Sequence, residues 1–149
     1  MQRITKCVMG LVLMAIFSSF AASNPVLGNW QTIDEKTQKP GSLIYIWEKN
    51  GIYYGKVAKI YTENGQKTTD RCVNCKGDKK NKPNLGLTII EGMKPQSSTQ
   101  WRGGTVLDPR DGKVYHAEMW LANNNKELHL RGYIGIPLFG KTATWYKYK

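Results

Sequence analysis

The chain has 149 residues, with 22 Lys and Arg against 11 Asp and Glu, a formal net charge of +11 and 40 % hydrophobic residues. This length suits one domain with one core. The lysines are spread along the chain with one dense stretch at Lys76–Lys82, which argues against a dedicated nucleic-acid surface.

At the N-terminus, Arg3 and Lys6 stand without an acid, Cys7 to Phe17 form a nearly all-apolar run, and Ser18, Ser19, Ala21, Ala22 and Ser23 follow. Charged, apolar and small regions in that order predict a signal peptide, residues 1–23, cut between Ser23 and Asn24. The apolar run is shorter than the roughly 20 residues a spanning helix needs. Cys7 leaves with the peptide. The mature part, 24–149, is then a single domain of 126 residues with 20 basic and 11 acidic side chains. It has no further segment of spanning length, and a periplasmic or secreted location is expected.

Eight strands are predicted in the mature part: 27–33, 42–49, 52–61, 85–91, 100–107, 114–122, 127–134 and 139–148. Turn formers separate them at Asp34–Gly41, Asn50-Gly51, the long 62–84 segment, Gly92–Ser98, Asp108–Gly112, Asn123–Asn125 and Pro137. Asn50-Gly51 is the strongest hairpin signal, since both residues accept the positive φ of a type I′ turn. No stretch keeps a helical period, so the fold class is all-β, an antiparallel up-and-down barrel of about eight strands.

One hairpin can be registered from the residues alone. A two-residue turn at Asn124-Asn125 makes partner numbers sum to 249 and sets Leu121 against Leu128, Met119 against Leu130 and Ala117 against Gly132. Tyr115 and Ile134 extend this core face. The other face then pairs Glu118 with Arg131, Trp120 with His129 and His116 with Tyr133. Slipping by one residue would set Glu118 against Leu130, so pattern, turn and charge agree on one register.

Cys72-Val73-Asn74-Cys75 is the only cysteine pair of the mature chain. In an oxidising compartment a structural disulfide is expected. A redox pair would need to open a helix, and the following residues 76–83 read as loop. A zinc site would need two further ligands. Such a bridge closes a very small ring and chiefly pins the long connection.

The two histidines, His116 and His129, could join Glu118 and Arg131 in an acid–base cluster, but the register puts all four on the non-core face. No nucleophile elbow and no phosphate-cradling glycine loop is present, and no cofactor or metal is expected. The aromatic residues are many for this length. Trp30, Trp47, Tyr54, Trp101, Tyr115 and Trp145 are the candidates for a ligand-lining or core role, since a barrel mouth rich in Trp and Tyr suits an apolar or sugar ligand.

Several segments carry a family resemblance. In order these are Gly28-Asn29-Trp30-Gln31-Thr32, Asn50-Gly51 with Tyr54-Gly55-Lys56-Val57, Cys72-x-x-Cys75-Lys76-Gly77, Leu107-Asp108-Pro109-x-x-Gly112-Lys113-x-Tyr115, Leu130 to Gly135, Leu138 to Thr142, and Trp145. Together they resemble the exported bacterial family catalogued as domain of unknown function 2147, over essentially the whole mature chain. The resemblance carries over no catalytic residue. It implies an Arg near the final Trp, where this chain has Lys147. A shorter resemblance, Gly28-x-Trp30 opening the first strand, is to lipocalin-like barrels, in which a basic residue of the last strand covers that Trp.

The leading expectation is a small-molecule-binding barrel for an apolar or amphipathic ligand. The alternative is a non-enzymatic envelope protein docking on anionic lipid or glycan through basic residues such as Lys79, Lys80 and Lys82. An enzyme ranks third; Asp34, Asp108, His116 and Arg131 would be its first polar candidates.

Overall fold

The computed structural model describes residues 23–62 and 70–149. The expected signal peptide, 1–23, apart from Ser23, and part of the 62–84 connection lie outside the described residues. Eight strands follow one another: β1 (Gly28–Ile33), β2 (Pro40–Lys49), β3 (Ile52–Ile60), β4 (Thr88–Pro95), β5 (Gln100–Asp108), β6 (Lys113–Ala122), β7 (Glu127–Tyr133) and β8 (Lys141–Lys147). Each is hydrogen-bonded to its sequence neighbours, and β8 returns to β1, so the antiparallel sheet closes into an up-and-down barrel. Closure leaves no free sheet edge for pairing with another chain.

The predicted hairpin register holds throughout: His116 pairs with Tyr133, Glu118 with Arg131 and Leu121 with Leu128. Asn124 and Asn125 both take positive φ, as do Asn50 and Gly51 in the β2–β3 turn. Alternation along these strands sends Ala117, Met119, Leu121, Leu128 and Leu130 inward, where all are buried.

Three expectations need correction. Strand 85–91 is displaced to Thr88–Pro95, because Gly92 does not end it: at φ +72° it sits where the β3–β4 register shifts, between Gly55↔Ile90 and Tyr53↔Met93, while pairing with β5 keeps one register on either side, Glu91↔Thr105 and Lys94↔Arg102. Residues 84–87 instead turn, with Leu87 N–H donating to Asn84 O and Gly86 N–H to Val57 O. Ile134, placed on the core face, is 68 % exposed, since β7 ends at Tyr133 and the chain leaves the wall there. Finally, Arg131 lies opposite Glu118 but does not pair with it. Glu118 meets Arg102 at 3.3 Å. Arg131 turns toward the β7–β8 connection and donates to Pro137 O at 2.7 Å, Leu138 O at 3.2 Å and Thr142 Oγ1 at 2.7 Å.

The two ends of the barrel differ. One, where β2–β3, β4–β5 and β6–β7 turn, is packed solid by Trp30, Tyr53, Met93, Trp101, Met119 and Leu128. Trp30 is fully buried and donates its indole N–H to Val26 O at 2.7 Å. Lys147 covers the indole from outside: its Nζ lies 4.6 Å from the ring centroid and donates to Pro25 O at 2.9 Å and Leu27 O at 2.6 Å. The lysine therefore does what the resemblance led one to expect of an arginine, with burial of its ammonium lowering the pKa below that of a free lysine. Among the described residues no helix is long and apolar enough to cross a membrane.

Candidate functional site

The opposite end, framed by the β1–β2, β3–β4, β5–β6 and β7–β8 connections, is not filled. Smaller inner-face residues toward the mouth contribute to this: β5 goes from Trp101 in the floor to Val106 in the cavity wall and β7 from Leu128 to Gly132, with Ala143 lining the cavity from β8. The resulting cavity of about 640 Å³ lies within the range of small-molecule sites. Its wall is apolar, with Ile44, Val57, Ile89, Leu130 and Trp145 facing in. Its rim is polar, formed by Asp34, Glu35, Asp108, Arg110, Tyr115 and Lys141.

The rim is held by its own hydrogen bonds. Asp34 Oδ1 accepts from the backbone N–H of Thr37 at 2.8 Å and of Lys36 at 3.0 Å, and from the Thr37 hydroxyl, which fixes the β1–β2 turn and holds the carboxyl below its ordinary pKa. Arg110 grips Asp108 with two nitrogens, Nε at 3.0 Å and Nη2 at 2.7 Å. That guanidinium lowers the Asp108 pKa, and the carboxylate raises that of Arg110. Lys141 and Glu35 pair at 2.8 Å across the β8–β1 seam, lowering the Glu35 pKa. The Tyr115 hydroxyl donates to Asp111 at 2.6 Å, and this bond to the carboxylate raises the phenol pKa. Asn84 lines the cavity with Oδ1 shielded from solvent and without a hydrogen-bond donor among the described residues. Such an acceptor is costly to bury unless something donates to it.

Cys72 and Cys75 are joined by a disulfide, with Cα atoms 5.2 Å apart and both residues buried. The bridge belongs to the β3–β4 connection, which folds back on itself through Cys72 N–H to Lys82 O and Asn81 N–H to Cys72 O. It also docks on the β5–β6 turn, where Asn74 Nδ2 donates to Arg110 O at 3.2 Å. A solvent-shielded bridge followed by a 3-10 turn, Gly77–Lys79, lacks the exposed helix-opening thiol that redox exchange uses. The bridge thus pins one side of the mouth.

The sequence candidates divide among four places. Trp30 and Trp101 are in the floor, not the cavity. Tyr115 and Trp145 line the cavity. Trp47 and Tyr54 are neither core nor lining: alternation from the inward Ile46 and Tyr53 puts them on the outer surface, stacked on each other at 5.6 Å. Of the polar set, Asp34 and Asp108 reach the rim, whereas His116 lies outside with its ring tilted against Tyr133 and Arg131 holds the β7–β8 connection. No acid–base cluster forms, because His129 bonds instead to Thr144 at 3.0 Å and lies 3.5 Å from Glu127. Lys79 is engaged at Glu91 and at Thr88 O, so of the three basic residues singled out only Lys80 and Lys82 stand out into solvent. Sequence reasoning missed Asn84, Arg110 and Lys141. Alternation does identify Leu130 and Ala143 as inward, but not that the space beside them stays open.

No curated protein matches the sequence. Among solved structures, the chain is similar to protein HP1028 from the human pathogen Helicobacter pylori, which is described as belonging to the lipocalin family. The two share 22 % identity, with 83 % of this chain and 82 % of that one covered and a TM-score of 0.70. At that identity the likeness concerns the fold alone. The model of the bacterial family described as "Uncharacterized protein conserved in bacteria", domain of unknown function 2147, matches residues 28–147, and the chain belongs to that family.

Proposed function

We propose that the protein is a carrier or sensor that holds a small apolar or amphipathic molecule in the open-end cavity. The observation behind this reading is the asymmetry of the interior: a solid aromatic floor below and about 640 Å³ of apolar-walled space above it. An aliphatic or ring-shaped body would replace water against Ile44, Val57, Ile89, Leu130 and Trp145, which is favourable at roughly 25 cal/mol per Å² of apolar surface covered. A polar head would remain at the rim, where Asn84 Oδ1 offers an acceptor and Arg110 and Lys141 offer donors. The site is set in an exported protein on this reading. The Cys72–Cys75 disulfide supports it, since such bridges persist in oxidising compartments, as does the 1–23 signal pattern.

Native mass spectrometry of protein expressed from the full chain, with solvent extraction of whatever co-purifies, tests the proposal. The wild type is expected to retain an apolar ligand. Ala143→Trp, which fills the cavity from β8, is expected to retain none. Equal occupancy in both proteins would end the cavity reading.

A further inference from the structure

The β7–β8 connection exposes an unusual set of side chains. Ile134 is 68 % exposed, Ile136 53 %, Leu138 75 % and Phe139 79 %. These four large apolar residues fall within six positions, and none of the residues 134–140 is charged. Singly exposed apolar residues are ordinary, but a contiguous group marks a surface that meets something apolar. The segment is not loosely extended. Arg131 holds it through two backbone carbonyls, Pro137 O and Leu138 O, and Pro137–Phe139 forms a 3-10 turn. The backbone is thus fixed while the side chains point away from the barrel.

Its position narrows the partner. Three more of the exposed apolar side chains lie at this same end: Val73 and Leu85 on the β3–β4 connection and Val114 at the start of β6. The β3–β4 connection also supplies charge. Its described residues 70–87 hold five basic side chains and two acids, and Arg71, Lys76, Lys80 and Lys82 are exposed. Apolar tips densest on the β7–β8 side and exposed cations on the β3–β4 side, with the rim carboxylates Glu35 and Asp108 already paired to Lys141 and Arg110, match a lipid surface with anionic headgroups, in which apolar side chains enter the acyl boundary and lysines remain among phosphates.

We propose that the barrel docks mouth-first on an anionic bilayer, with Ile134, Ile136, Leu138 and Phe139 entering the interface and Lys76, Lys80 and Lys82 contacting headgroups. The docking surface is distinct from the cavity and does not depend on its being occupied.

Protein expressed from the full chain is sedimented with vesicles of phosphatidylethanolamine and phosphatidylglycerol, 3:1, and with phosphatidylcholine vesicles. Binding is expected to the anionic vesicles, at least tenfold weaker to the zwitterionic ones, and weakened by raised salt. Leu138→Ser/Phe139→Ser is expected to weaken it at least tenfold, with the melting temperature unchanged because both residues are exposed. Lys76→Gln/Lys80→Gln/Lys82→Gln should weaken it several-fold and flatten the salt dependence. All variants share the same N-terminal segment, so its own affinity for lipid cancels. A solvatochromic label on Leu138→Cys reports the loop directly, and its emission should shift to the blue on anionic vesicles. Serine variants that bind like wild type, or an unshifted label, would overturn the proposal. So would wild-type protein that ignores vesicles but dimerises through this loop, which would make a second copy the occupant.

Discussion

Replacing Lys147 with Ala tests how the closed end is sealed. The ammonium makes two charge-assisted hydrogen bonds, to Pro25 O and Leu27 O, and lies 4.6 Å over the Trp30 ring. Hydrogen bonds to a charged group contribute about 1.5–3 kcal/mol each, and a partly exposed cation–π contact about 0.5–1 kcal/mol. Against these stand the rotamer entropy of an ordered lysine, about 2 kcal/mol, and the cost of desolvating the ammonium, visible in its lowered pKa. Because much of the side chain remains exposed, we take the balance at about 2 kcal/mol. For a domain of this size that corresponds to a fall of roughly 8 °C in melting temperature. The assay is thermal unfolding followed by near-ultraviolet dichroism, which also reads the Trp30 environment. Lys147→Met, which keeps an aliphatic stem over the indole, should lose about half as much, and Lys147→Arg should be close to wild type. A melting temperature for Lys147→Ala within about 1 °C of wild type, with an unchanged aromatic signal, would refute the reasoning.

Further outcomes follow from the mouth. Gly112 has φ +72°, and a Cβ there would run into the Asn74–Cys75 backbone. Gly112→Ala should therefore cost upward of 2 kcal/mol in urea unfolding and expose residues 70–84 to hydrogen exchange. Cys72→Ala/Cys75→Ala removes a cross-link closing a very short loop, so about 2 kcal/mol is the ceiling of its entropic effect, and the barrel should still fold by dichroism. Asp108 has a lowered folded-state pKa, so its stabilisation is present above the ordinary aspartate value of about 3.9 and is lost as pH falls through the folded value. Asp108→Asn should melt below wild type at pH 7, and the gap should close in strongly acid solution. A gap that persists there would dissociate Arg110 from the effect.

Much of the wall was legible because a barrel strand shows its period directly. The sum of 249 for β6–β7 comes from one asparagine turn and one apolar alternation, and each fixes the other. Glycine was the weak signal. Gly92 looks like punctuation in the sequence but sits inside β4, because its positive φ falls at a local register shift against β3 that the strand survives. Side chains that leave their register partner were also hidden: Arg131 is level with Glu118, yet two carbonyls of the β7–β8 connection and the Thr142 hydroxyl of β8 outcompete one carboxylate. Face assignment sorted the tryptophans only partly. Alternation separates Trp47 outside from Trp30 inside, but which inward residues pack solid and which leave room depends on sizes summed around the whole barrel. Docking of the Cys72–Cys75 segment on the β5–β6 turn joins residues about 36 apart through Asn74 and Arg110 O, for which no local pattern exists.

Methyl shifts in the presence of a long-chain amphiphile test the cavity most directly. Ligand should perturb Ile44, Val57, Ile89 and Leu130 above the floor and leave Ile46, Met119 and Leu128 within it unmoved. Shifts confined to the outer wall, or spread evenly over floor and mouth, would contradict a barrel built to hold a molecule at its open end.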